Sequence, residues 1–212
     1  MTAMHDISPL AGWLERFESA ADASLQLRLR ELPFLSQVLL RLDAQLPEAS
    51  AIQQALGLEL PLGFGIYTRS DDLDACWLGP DEWLLVAPSG AASRLVEVVT
   101  RAAGSAHHLV LDISANRTCI QLRGADARYV LAKGCHEDTA EPAFSGRKVV
   151  QTVLAKVPVI LQLQADEPVF RIFVRNSFAE YLARWLIDAA SEIRSARHHR
   201  IDTLQAYFIA AR

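Results

Sequence analysis

Two hydrophobic periods succeed one another along this chain in no regular order, and that irregular succession constrains its fold more than any other feature. Leu25, Leu27 and Leu29 alternate with Gln26, Arg28 and Arg30, a period of two that sets leucines on one face of a strand and polar groups on the other. Val38, Leu40 and Leu42 resume the pattern beyond Pro33, so these two strands are expected to pair antiparallel with one solvated face. Helical spacing then intervenes, with Ala51, Ile52, Ala55 and Leu56 running up to a glycine stop at Gly57,. Strands at 75–78 and 82–87 flank Gly79-Pro80-Asp81, a turn-forming trio that predicts a hairpin,. Leu95, Val98, Val99 and Ala102 mark a helix ended by Gly104, and strands follow at 108–113 and 117–123,. A helix over 124–133 ends at Gly134, before strands at 149–155, 159–163 and 169–175,. In the last strand Phe170, Ile172 and Val174 are expected inward, and Arg171, Phe173 and Arg175 outward,.

The two ends of this array read as helices. Ser8-Pro9 opens a short one over 9–19, with Leu10, Trp13, Leu14 and Phe17 on one side,. Ser177-Phe178-Ala179-Glu180 matches a capping box, in which the serine oxygen accepts an amide proton and the glutamate reaches back,. Behind it Phe178, Tyr181, Leu182, Trp185, Leu186 and Ala189 form an apolar face. The stretch 61–74 fits an irregular segment or an edge strand and could separate two lobes. There is no βαβα alternation, no GxGxxG turn and no internal repeat, so an α+β architecture with an antiparallel or mixed sheet is favoured over a doubly wound one,.

Charge narrows the partners. Twenty-one basic against twenty-five acidic side chains leave a net charge of −4, with no block of five or six like charges, where a nucleic-acid binder would show a basic stripe. No secretory leader opens the sequence and no apolar run reaches the roughly 18 residues of a membrane span, so a soluble cytoplasmic protein is expected, without nucleic-acid or membrane partners. Cys76, Cys119 and Cys135 are three widely spaced thiols, without the close pairs of zinc sites or redox dithiols,.

Few residues suggest chemistry. Asp112-Ile113-Ser114-Ala115-Asn116-Arg117-Thr118 is the densest polar cluster of the second half. It reads either as a ligand corner, with the Asp112 carboxylate and Arg117 guanidinium as binding groups, or as a turn in which Asp, Ser and Asn cap their own backbone. Cys119 shares a strand face with Arg117, Gln121 and Arg123, which would make it the more reactive thiol if that face is open, or an ordinary cysteine in a half-buried sheet if not. Cys135-His136 are adjacent, and adjacent side chains seldom converge as a nucleophile and base. His107-His108 and His198-His199 lack a carboxylate at metal-site spacing. The pairs Asp71-Asp72 and Asp81-Glu82 sit among turn formers rather than in an apolar pocket. No nucleophile elbow or phosphate-binding loop is present, so no catalytic, cofactor or metal residue is assigned.

Read in order, Trp77-Leu78-Gly79-Pro80-Asp81-Glu82-Trp83-Leu84-Leu85-Val86, the 112–118 cluster, Val130-Leu131-Ala132-Lys133-Gly134-Cys135, Gln151-Thr152-Val153-Leu154-Ala155 and Phe170-Arg171-Ile172-Phe173-Val174-Arg175-Asn176-Ser177-Phe178 are similar to the gamma-subunit family of heterotetrameric sarcosine oxidases. The resemblance spans about 24–190. It implies a fold like the folate-binding domain of aminomethyltransferases with an adjoining ferredoxin-like lobe, over 1–194 and in two interleaved lobes or one unit. It further implies an assembly with alpha, beta and delta subunits that oxidises sarcosine, or a related N-methyl amino acid, to give glycine, a folate-bound one-carbon unit and hydrogen peroxide. In that family flavins, nicotinamide dinucleotide, zinc and tetrahydrofolate belong to the other subunits, leaving this chain a non-catalytic role in assembly and stability. Trp13 and Phe17, with Arg28, Arg30 and Arg171, are candidate docking groups, though Trp13 could equally cover its own core. The segment 195–212, with Leu204, Tyr207 and Phe208 at helical spacing, lies outside the resemblance as an extension. An independent folate-binding or aminomethyl-transfer protein is the alternative, and Asp112 and Arg117 would be its ligand corner.

Overall fold

The period-two segments sort into two five-stranded antiparallel sheets. A computed structural model describes residues 7–20, 27–164 and 168–192. In chain order these are α1 (Leu14–Ala20), β1 (Arg28–Leu32), β2 (Ser36–Leu42), α2 (Pro47–Leu56), β3 (Tyr67–Ser70), β4 (Leu73–Gly79), β5 (Glu82–Ala87) and α3 (Ala92–Ala103). Then come β6 (His108–Asp112), β7 (Arg117–Arg123), α4 (Ala127–Ala132), β8 (Val149–Leu154), β9 (Val157–Leu163) and β10 (Val169–Arg175). A 3-10 turn, Asn176–Phe178, leads into a last helix over 179–192, α5. The segment 195–212 and His198-His199 lie outside the described residues.

One sheet runs β3-β4-β5-β2-β6 and the other β1-β7-β10-β9-β8. Without its edge strand β3, the first is β2-α2-β4-β5-α3-β6, the split β-α-β-β-α-β arrangement of a ferredoxin-like lobe,. Its helices obey local rules: Pro47 pre-sets the first turn of α2, and Gly57, at φ 63°, ends it in the left-handed region,. Ile52 of α2 and Val99 of α3 close over Val38, Leu40, Trp83 and Leu85 of the sheet. Leu10, Trp13, Phe17, α4 and α5 close over Leu29, Ile120, Leu122, Phe170 and Ile172 of the other. Between the sheets lies a third core, Tyr67, Cys76, Leu84 and Val86 facing Cys119, Val149, Ile160 and Phe173. The layers are thus helix, sheet, sheet, helix.

This stacking corrects several expectations. β1 and β2 do not pair with each other: β1 lies on β7, and β2 between β5 and β6. The link between them turns through Phe34 at φ 58° and carries the chain from one sheet to the other. Leu29 and Leu40 are therefore buried under different helices. Nor does either sheet keep one wholly solvated face. Phe173, expected outward, is fully buried because the opposing sheet covers it. Trp13 and Phe17 fill their own core and are not docking groups, and α1 starts only at Leu14, with Gly12 inside the stretch expected to be helical,. At the other end the capping box is absent: the 3-10 turn is preceded by Arg175 without a side-chain cap, and Glu180 instead lies 3.6 Å from Arg184 one turn on. The apolar face of α5 is rotated accordingly, with Leu182, Ala183, Leu186 and Ala190 buried while Phe178 and Tyr181 are exposed.

Candidate functional site

β6 belongs to one sheet and β7 to the other, so the polar segment between them is where the chain crosses back between layers. Its hydrogen bonds are local. Asp112 Oδ1 accepts from the Ser114 amide at 2.9 Å and from the Ser114 hydroxyl at 2.5 Å, the side-chain-to-backbone closure that Asp makes in turns. The Asn116 amide donates to the Ile113 carbonyl at 2.9 Å. Ser114 Oγ in turn accepts from the Gln37 amide at 3.0 Å, and Gln37 Nε2 donates to the Arg117 carbonyl at 2.8 Å. Gln37, buried on β2, thus staples the crossing to the first sheet, and sequence pattern alone did not mark it. Asn176 at the end of β10 does the same from the second sheet, its amide donating to the Asn116 carbonyl at 3.2 Å and its Nδ2 to the Ala115 carbonyl at 2.8 Å.

Asp112 and Arg117 line one open depression of about 420 Å3, together with Ser36, Ser89, Ser93 and Asn176. They do not pair: Asp112 is engaged with Ser114, and no ion pair joins it to Arg117. Burial lowers the pKa of the Arg117 guanidinium, the neighbouring charge of Arg175 lowers it further, and Glu82 opposes both,. The turn reading therefore accounts for Asp112, and Arg117 is left as a half-buried cation facing another.

The thiols are held neutral. Cys119 lies between the sheets, not on an open face, and burial pushes it up to about 12. Burial raises Cys76 as well, with the Asp74 charge adding to it, and raises the half-buried Cys135 in spite of hydrogen bonds from Glu137 and Thr152. None of the three is an activated nucleophile, since the thiolate is the reactive form. The His136 amide donates to the Val153 carbonyl, and His108 Nδ1 lies 2.8 Å from the Ala106 carbonyl. Among the described residues no three His, Cys, Asp or Glu side chains are grouped as metal ligands would be, and no helix is long and apolar enough to cross a membrane.

One charged cluster escaped the sequence reading. Asp74, whose side chain is 2% exposed, accepts from Arg69 Nε at 2.5 Å and Nη2 at 2.7 Å, from Arg171 Nη1 at 3.1 Å and from Gln162 Nε2 at 3.0 Å. Two guanidiniums on one carboxylate tie β3 and β4 of one sheet to β9 and β10 of the other. Its only sequence signal was an aspartate beside the apolar run Ala75-Cys76-Trp77-Leu78, which reads more simply as the end of a polar turn.

The profile described as "Sarcosine oxidase, gamma subunit family" matches residues 41–192. Sarcosine oxidase subunit gamma of Corynebacterium sp. (strain P-1) is 39% identical over 169 residues, covering 79% of this chain and 82% of that protein. Among solved structures, a chain of the heterotetrameric sarcosine oxidase from Corynebacterium sp. U-96, in complex with pyrrole 2-carboxylate, superposes with a TM-score of 0.82 at 36% identity, over 88% of this chain and 95% of that one. The glycine cleavage system aminomethyltransferase T from Bartonella henselae shares the fold at a TM-score of 0.55 and 18% identity, over 77% of this chain and 46% of that one, which bears out the aminomethyltransferase-like fold. The chain belongs to the sarcosine oxidase gamma subunit family.

Proposed function

We propose that this chain is the gamma subunit of a heterotetrameric sarcosine oxidase, docked among alpha, beta and delta subunits in the cytoplasm and acting in assembly and stability rather than in catalysis. The observation that carries the reading is the likeness, over 95% of the other chain, to a component of a heterotetrameric sarcosine oxidase. The chemistry of the chain is consistent with a supporting role: its thiols are neutral, the Asp112 carboxylate is spent on a turn, and the buried Asp74 carboxylate is matched by two arginines. On this reading flavins, nicotinamide dinucleotide, zinc and tetrahydrofolate are held by the companion subunits, and the reaction they perform converts sarcosine to glycine with a folate-linked one-carbon product and hydrogen peroxide. Residues 1–194 form the gamma-type domain and 195–212 an extension to it.

The test is co-expression of the tagged chain with its genomic neighbours, followed by affinity purification and an absorption spectrum of the eluate. A yellow complex with three companion chains, whose yield or stability falls when this chain is omitted, is the expected result. A colourless single chain that binds folate saturably, with the companions expressed and soluble, would overturn it.

A further inference from the structure

Arg117 and Arg175 stand directly opposite each other across the β7–β10 ladder. Like charges in that position repel, and six other arginines of the fold have that charge matched by a carboxylate. Arg41 pairs with Asp81, Arg69 and Arg171 with Asp74, Arg101 with Glu97, Arg128 with Glu141 and Arg184 with Glu180. Among the described residues neither Arg117 nor Arg175 has such a partner. Glu82, the carboxylate whose charge reaches Arg117, lies 3.7 Å from Arg41 Nε.

The backbone that carries the pair is held on both sides. Gln37 Nε2 donates to the Arg117 carbonyl, and Asn176, next to Arg175, donates twice to the crossing that precedes Arg117. The two arginines edge a groove of about 330 Å3, which is completed by Gln151 and Thr152 and by the apolar side chains of Pro158 and Ile160. Gln151 is fixed by donating to the Leu78 carbonyl at 3.0 Å. Two guanidiniums carried on a held backbone beside a partly apolar groove suit a carboxylate on a short aliphatic stem, because the guanidinium fork matches carboxylate geometry. Arg175 is exposed while Arg117 is half-buried. A free small ligand would ordinarily be mostly enclosed, whereas this opening leaves the bulk of its occupant outside, as for a side chain projecting from another protein.

We infer that Arg117 and Arg175 form a carboxylate-binding site that receives an acidic side chain of a companion subunit. The inference rests on the reading of this chain as a subunit of a larger oxidase, and it goes beyond it by assigning the contact.

The experiment uses the co-expressed complex and the full chain with Arg117→Gln, Arg175→Gln or both, and measures retention of this chain by the companions over a series of NaCl concentrations. Each single substitution is expected to weaken retention about tenfold or more, as for loss of a charged hydrogen bond, and the double variant to lose most of the salt dependence. The thermal midpoint of the purified variants should be no lower than that of the unaltered chain, since removing one of two facing cations relieves repulsion. Variants retained as tightly as the unaltered chain, with the same salt dependence, would overturn the site and leave the subunit reading standing. Variants whose midpoint falls in step with their retention would overturn it in favour of a purely structural pair. If the unaltered chain itself fails to assemble, the subunit reading and this site fall together.

Discussion

At the scale of single residues, environment decides what a side chain can do, and the cysteines show it best. Cys119 shares its side of β7 with three polar positions, Arg117, Gln121 and Arg123, so alternation alone leaves open whether the thiol meets water. The answer depends on a second sheet that local pattern does not reveal. In the unfolded chain a thiol ionises near its ordinary value of 9.0, while folded Cys119 holds its proton up to about 12. Between those values the unfolded state releases a proton that the folded state keeps, so the stability contributed by the protonated Cys119 is fully present below pH 9 and is lost as pH rises toward 12,. Cys76 and Tyr67, also raised by burial, act in the same direction. The urea midpoint of the purified chain should accordingly decline on the alkaline side. Cys119→Ala should be less stable at pH 7 by about 1 kcal/mol, for a small cavity, yet show a shallower alkaline decline, and an equal slope would mean that Cys119 is not the group responsible. A thiol reagent should label Cys135 before the other two in the native protein, because only Cys135 is not fully enclosed.

At the scale of elements, what was legible was wherever one period ran uninterrupted to a stop. The β4–β5 hairpin, α3 up to Gly104, and β8, β9 and β10 all lie where alternation or helical spacing put them. Pairing across sequence was not legible, because the partner of a strand depends on which helix covers it; adjacency suggested β1 with β2, and tertiary packing separated them. The face of α5 was read partly wrong for a related reason: six apolar residues span more of the helix than one sheet covers, and Phe178 and Tyr181 fall on the uncovered side. At the polar crossing the cluster itself was evident, but the staple from Gln37 and the facing of Arg117 by Arg175 required the register of two sheets. The junction of α4 with α5 is tight. A Cβ at Gly134 would stand 2.5 Å from Trp185 Cζ2, and the adjacent Lys133 Nζ reaches the Ala189 carbonyl at 2.5 Å. Gly134→Ala should therefore cost roughly 1–3 kcal/mol through overpacking. Combining it with Trp185→Leu should recover part of that cost, as measured by denaturant unfolding of the two singles and the double. Strict additivity would show that the Trp185 ring is not what the new methyl group meets.

At the scale of the whole molecule, the chain enters one sheet at β1, leaves it for the five strands β2 to β6, and returns at β7. The sheet of β1 and β7 to β10 is therefore discontinuous in sequence, and the two sheets share the core that contains Phe173 and Leu84. Asp74 adds the polar part of that shared layer, since its carboxylate on β4 is the counter-charge to Arg171 on β10 and to Arg69 on β3. A structure joined in this way should unfold as one unit rather than as two lobes, because opening either sheet exposes the layer that both depend on. Trp13 reports on the helix-covered face of one sheet and Trp83 on that of the other, so variants that keep one or the other tryptophan should give coincident denaturation curves. Asp74→Ala leaves two guanidiniums at the interface without their carboxylate, for which a loss of about 3 kcal/mol is expected. If the sheets are a single unit, that loss should move the Trp13 and Trp83 transitions together. Curves that separate, with the Trp83 transition moving and the Trp13 transition staying in place, would show instead that the ion cluster stabilises one sheet alone.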